Sequence, residues 1–139
     1  MILVMDTDVV VAALRNPTGA SAALLRQVRQ GQLRLAANVS LFTEYEAVCL
    51  RPEHAQAAGL TARDVGHFLN ALASLVQPVA IHFMWRPQLH DPGDELVLEA
   101  AANARADVLL GFNLKHFSAA MPRFGIRLSQ PGPFFRSLS

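Results

Sequence analysis

Short apolar runs separated by stretches of helical periodicity set the pattern of this chain. Ile2-Leu3-Val4-Met5 is unbroken and rich in branched side chains, as in a strand covered on both faces. Leu33 to Ala37 predicts a second strand, residues 78–83 a third, Val108 to Phe112 a buried fourth, and Ile126-Arg127-Leu128 a last short one. Between them, Val9, Val10, Val11 and Leu14 lead to a turn signature at Asn16-Pro17-Thr18-Gly19. Ser21 is the expected cap of a helix carrying Leu24, Leu25 and Val28 and ending near Gly31. Ser40 is the expected cap of the next, whose apolar positions 41, 45, 48 and 49 recur at helical spacing until Arg51-Pro52 stops it. Thr61 precedes a stripe of Val65, Phe68, Leu69, Leu72 and Leu75, and Asp91-Pro92 opens a helix carrying Leu96, Val97, Leu98, Ala101 and Ala102.

Strands alternating with helices predict an α/β fold, a sandwich around a mostly parallel sheet of about five short strands. No repeat or low-complexity tract interrupts the 139 residues, so residues 1–139 are expected to form a single domain. No segment approaches the ~18 consecutive apolar residues of a membrane span. The N-terminus meets Asp6 too soon for a signal peptide, so a soluble, cytoplasmic protein is expected, with no membrane partner. Cys49 is the single cysteine and falls in an apolar helical pattern, which predicts a small buried hydrophobe.

The chemistry-bearing residues are carboxylates. Asp6 closes the first apolar run, Glu44 lies between Thr43 and Tyr45, and Asp91 and Asp94 flank Pro92-Gly93. In open parallel sheets ligands bind beyond the carboxyl ends of the strands, which is where Asp6 and Asn113 fall. Each residue also has a plainer role. Asp91-Pro92-Gly93-Asp94 reads equally as a helix start, Asp6 as a turn residue, and Asn113-Leu114-Lys115-His116 as a polar turn. Glu44 and Glu46 stand about 100° either side of Tyr45, and periodicity does not choose between them. Acids gathered on one rim would repel unless a hard cation sat among them, and Mg²⁺ or Mn²⁺ prefers such oxygen ligands. The histidines show no zinc spacing, no phosphate-binding glycine loop is present, and Phe112, Phe117, Phe124, Phe134 and Phe135 are expected to pack the core and C-terminus. A net charge of +1 makes no general case for nucleic acid, although all basic residues but Lys115 are arginines, suited to phosphate.

Several segments in order resemble PIN-domain ribonucleases of the toxin-like (VapC-like) branch of bacterial toxin–antitoxin systems. They are residues 2–14, Leu41 to Pro52 with Glu44 and Arg51-Pro52, Trp85-Arg86-Pro87 before Asp91-Pro92-Gly93-Asp94, and Val108 to Phe117. The resemblance implies a PIN-like three-layer sandwich and a metal-dependent endoribonuclease. It implies that Asp6, Glu44 and Asp94 are catalytic and hold Mg²⁺ or Mn²⁺, with Asp91 as a further, water-mediated ligand. Asp8 stands where the family usually has Asn, and Asn113 where many members have a fourth acid, which weakens the case for a second metal site and leaves one or two ions open. Lys115 would contact the RNA backbone. An antitoxin partner and a homodimer are also implied. Two alternatives compete: a PIN-fold binding module with weakened catalysis, motivated by Asn113, and a haloacid-dehalogenase-type phosphatase using Asp6 as nucleophile and Asp8 as acid–base. The phosphatase would need acids after a downstream lysine, and none follows Lys115.

Overall fold

The computed structural model describes residues 1–80, 92–118 and 124–138. Five strands, β1 (Ile2–Met5), β2 (Arg34–Ala37), β3 (Val76–Pro78), β4 (Val108–Leu110) and β5 (Arg127–Ser129), form one sheet in the order β3-β2-β1-β4-β5. Every neighbouring pair is parallel. Leu3, Val4 and Met5 of β1 and Leu109 and Leu110 of β4 are completely buried, as central strands covered on both faces must be. The chain lays β2 and β3 successively to one side of β1, then returns to place β4 on its other side. Right-handed crossovers leaving in opposite directions put helices on both faces, giving the three-layer α/β sandwich. The reversal also opens a crevice between the carboxyl ends of β1 and β4.

The helices are α1 (Thr7–Arg15), α2 (Ala20–Arg29), α3 (Val39–Cys49), α4 (Pro52–Ala58), α5 (Ala62–Leu75), α6 (Pro92–Ala104), α7 (Lys115–Ser118) and α8 (Pro131–Ser137). Two expected caps are displaced. Asn38, not Ser40, caps α3: its Oδ1 accepts from the Leu41 amide at 2.7 Å. The chain passes directly from β2 into α3, so the last extended residue takes the cap and Ser40 falls in the first turn. Gly19, not Ser21, precedes α2, and Ser21 is buried inside the helix. A side chain at position 19 would meet Asn16 Nδ2 at 2.9 Å, so glycine there lets Asn16 close the tight turn with Thr18 undisturbed. Thr61 does cap α5, in a reciprocal box with Asp64.

Arg51-Pro52 ends α3 and also begins α4, with proline at a position where the missing amide costs nothing. Gly59, at φ 69°, closes that short helix in the left-handed conformation. The third strand starts earlier than expected, because α5 hands the Val76 amide to Leu72 O and the chain straightens at once. Of the expected strand 78–83, residues 81–83 lie outside the described residues, as does Asp91. β4 stops at Leu110, and Phe112 emerges 45% exposed instead of joining Phe117 and Phe134 in the core. Cys49 is buried, and that burial pushes its thiol up to about 11. On the outer strand β3, the Val76 amide is already bonded and Pro78 has none.

Asn38 couples strand and helix, so Asn38→Ala should cost about 1 kcal/mol of stability in urea unfolding. Asn38→Ser keeps a capping oxygen and omits Nδ2, which is buried and unbonded among the described residues. It should cost measurably less than alanine, and equal losses would refute the capping account.

Candidate active site

Asp6 is the first residue past β1. Its amide donates to Leu110 O at 2.8 Å, which seats it against the end of β4, and its Oδ1 accepts from the Thr7 amide at 2.8 Å to cap α1. The Tyr45 hydroxyl, fully buried, donates to Met5 O at 2.5 Å and fastens α3 to the same strand end. Glu44 is thereby brought beside α1, where Thr7 Oγ1 donates to its Oε2 at 2.7 Å. Glu44 is the half-buried member of the pair that periodicity leaves open; Glu46 is exposed and borders a separate groove with Phe42 and Pro78. Asp94, in the first turn of α6, faces the same crevice, and His116 Nδ1 of α7 lies 3.2 Å from its Oδ2.

Asp6, Asp8, Glu44, Asp94, Asn113 and His116 thus line one cleft of about 470 Å³. Glu44 and Val48 follow one another along one face of α3, with Arg51 just past its end, and Thr7 and Val11 along α1, so the cleft continues down the α1–α3 seam towards His54. Lys115 is exposed on α7 and is not among the residues lining the cleft. Among the described residues, no group of three or more His, Cys, Asp or Glu side chains is arranged to hold a metal ion as it stands.

The PIN domain family model matches residues 2–115. The chain belongs to the PIN-domain family. Members of that family are generally nucleases and generally use divalent metals. Among solved structures, a chain of the VapBC2 assembly of Rickettsia felis, crystallised with a DNA fragment from its promoter, shares the fold. The TM-score is 0.62 at 13% identity, over 94% of this chain and 98% of that one. No curated protein sequence matches the chain significantly. Family membership sets aside the phosphatase alternative for Asp6.

The acids of this PIN domain perturb one another. Burial, then the Asp8 carboxylate, and more weakly the Asp94 charge push the Asp6 carboxyl up to about 7, against the pull of the Thr7 amide. Asp8 keeps an accessible edge but is hemmed in by protein, which raises it too; hydrogen bonds with the Val9 amide, Asp6 and the Phe112 backbone oppose the rise. His116 is the site residue that sequence reasoning missed. Its partner Asp94 lies on a different helix, and no spacing signal links them. Thr7 was hidden similarly, since its role depends on α3 docking across α1.

Because the folded protein holds a proton on Asp6 that the unfolded chain releases near pH 4, stability should fall as pH rises from about 4 to about 7 and then level. In EDTA, Asp6→Asn keeps an acceptor for the Thr7 amide and removes this dependence. Its stability should match wild type near pH 4 and exceed it above pH 7 by up to about 4 kcal/mol, read as a higher melting temperature. A pH-independent difference would contradict the perturbed carboxyl.

Proposed function

We propose that this PIN domain is a metal-dependent endoribonuclease, the toxin of a toxin–antitoxin pair. The observation that carries the reading is the meeting of Asp6, Glu44 and Asp94 in one cleft at the sheet's switch point, with the Asp6 carboxyl pushed to about 7 by burial and then by the acids beside it. An all-oxygen donor set under mutual repulsion fits a hard cation, which would favour the ionised form of each acid. Asp6, Glu44 and Asp94 would hold Mg²⁺ or Mn²⁺, with Asp8 and Asn113 flanking; the expected contribution of Asp91 lies outside the described residues. A bound ion supplies Lewis acidity to the phosphate and lowers the pKa of a coordinated water.

The chain's own residues arrange the remainder. Thr7 fixes one oxygen of Glu44 and leaves the other to face the cleft. His116 holds Asp94 in orientation from α7. Tyr45, anchored on Met5 O, keeps Glu44 in reach of Asp6. Asn113 adds an amide where a further acid would add repulsion, which favours a single ion. Lys115, exposed on α7 beside the cleft residue His116, would meet the RNA backbone outside the cleft.

The partner is an antitoxin, a reading supported by the VapBC2 fold neighbour; a homodimer and a cytoplasmic setting complete it. Among the described residues, no helix is long and apolar enough to cross a membrane. Asn113 also favours a second reading, a PIN-fold binding module with weakened catalysis. Calorimetry separates the two, since a binding module would take up no Mn²⁺ at millimolar concentration.

Purified protein should cut labelled single-stranded RNA with Mn²⁺ or Mg²⁺, not with EDTA, and not after Asp6→Ala. Asp94→Asn should lose at least about 100-fold in cleavage while melting as a folded protein. Cutting by Asp94→Asn at the wild-type rate would sink the assignment.

A further inference from the structure

The cleft is larger than its acids need. Six waters around an ion occupy roughly 180 Å³, which leaves more than half of the 470 Å³ for something else. The remaining lining is of another kind: Val11 and Val48 form an apolar floor, with Arg51, Glu53 and His54 around it. Val48 stands one turn beyond Glu44 on α3, and Arg51 follows just past the end of that helix at the start of α4, so this end is continuous with the carboxylates.

His54 is the unusual member. Its side chain is 12% exposed, and among the described residues both ring nitrogens are buried without a hydrogen-bond partner. Unbonded buried imidazole nitrogens are costly, and here they border a cleft a ligand can enter. Glu53 Oε1 lies 3.9 Å from His54 Nε2, on a 69% exposed side chain. That carboxylate repels a phosphate placed at His54, whereas a neutral base with donor and acceptor edges suits the ring. Arg51 is exposed at the start of α4 and its side chain caps nothing there. Its guanidinium matches a phosphate.

We infer that the Val11–Val48–Arg51–His54 end of the cleft is a subsite for the nucleotide adjoining the scissile phosphate. The base lies on Val11 and Val48 with its edge at His54, and the neighbouring phosphate lies on Arg51. The subsite rests on the nuclease reading and adds how the RNA strand runs away from the carboxylates. Single-stranded RNA offers the unstacked base and free edges that such a pocket requires.

The test is binding of a short fluorescein-labelled single-stranded RNA, in EDTA across a salt series, to wild type, Arg51→Ala, His54→Ala and His54→Phe. Melting curves on each variant establish folding. Arg51→Ala should weaken binding about tenfold and lower the salt slope by about one. His54→Ala should weaken it about tenfold with an unchanged slope, and His54→Phe, which keeps a flat ring, should fall between. Mn²⁺ affinity by calorimetry should be the same in all four. Variants that bind like wild type, while wild type cuts RNA with Mn²⁺, overturn the subsite alone. A loss of slope in His54→Ala overturns the base placement. A wild type that neither binds nor cuts RNA overturns the nuclease reading and the subsite together.

Discussion

The buried hydrogen bond from Tyr45 to the Met5 carbonyl is the joint on which the cleft is built. Asp6 follows Met5 and Glu44 precedes Tyr45, so the two acids are the chain neighbours of the two bonded residues. Fixing that one contact fixes the separation of the acids within the reach of a few backbone bonds. The Asp6 amide on Leu110 O adds the end of β4, and the Thr7 hydroxyl on Glu44 closes the square between α1 and α3. A hydroxyl in the interior must find an acceptor, and a strand's last carbonyl is a natural one. The carboxylates are therefore positioned by a polar contact that packing alone compels.

Gathering the acids opposes stability. The Asp6 carboxyl, held near 7, is an ordinary acid made reluctant to ionise by burial and by its neighbours. Such local conflict is tolerated because the surrounding sheet is buried and regular. Hydrogen bonds take up part of the strain, from the Thr7 amide to Asp6 and from the Thr7 hydroxyl to Glu44, while the His116 ring lies 3.2 Å from Asp94.

What was legible in the sequence followed from patterns that act locally. Ile2–Met5 and Val108–Leu110 read as strands because central parallel strands are apolar on both faces. Asp6 and Asn113 read as rim residues because they directly follow those strands. The displaced caps at Asn38 and Gly19 were not legible: serine is as good a cap in isolation, and only the strand-to-helix junction and the Asn16 turn decided otherwise. The brief helices α4, α7 and α8 carry too few turns to show a period. The choice of Glu44 over Glu46, and the meeting of His116 with Asp94, depend on how distant helices dock.

The β3 margin of the sheet has a consequence for how copies of this protein can meet. Of its three residues, Val76 has already given its amide to α5 and Pro78 has none to give, while Gln77, two residues before the Val79 amide that reaches Ala37 O, turns its amide inward to β2. A strand from another molecule would find almost nothing to pair with there. Among the described residues, β3 leaves no outward amide on this side. Assembly across that flank must proceed through helix surfaces, where side chains discriminate among neighbours, and not through backbone pairing, which accepts nearly any extended segment.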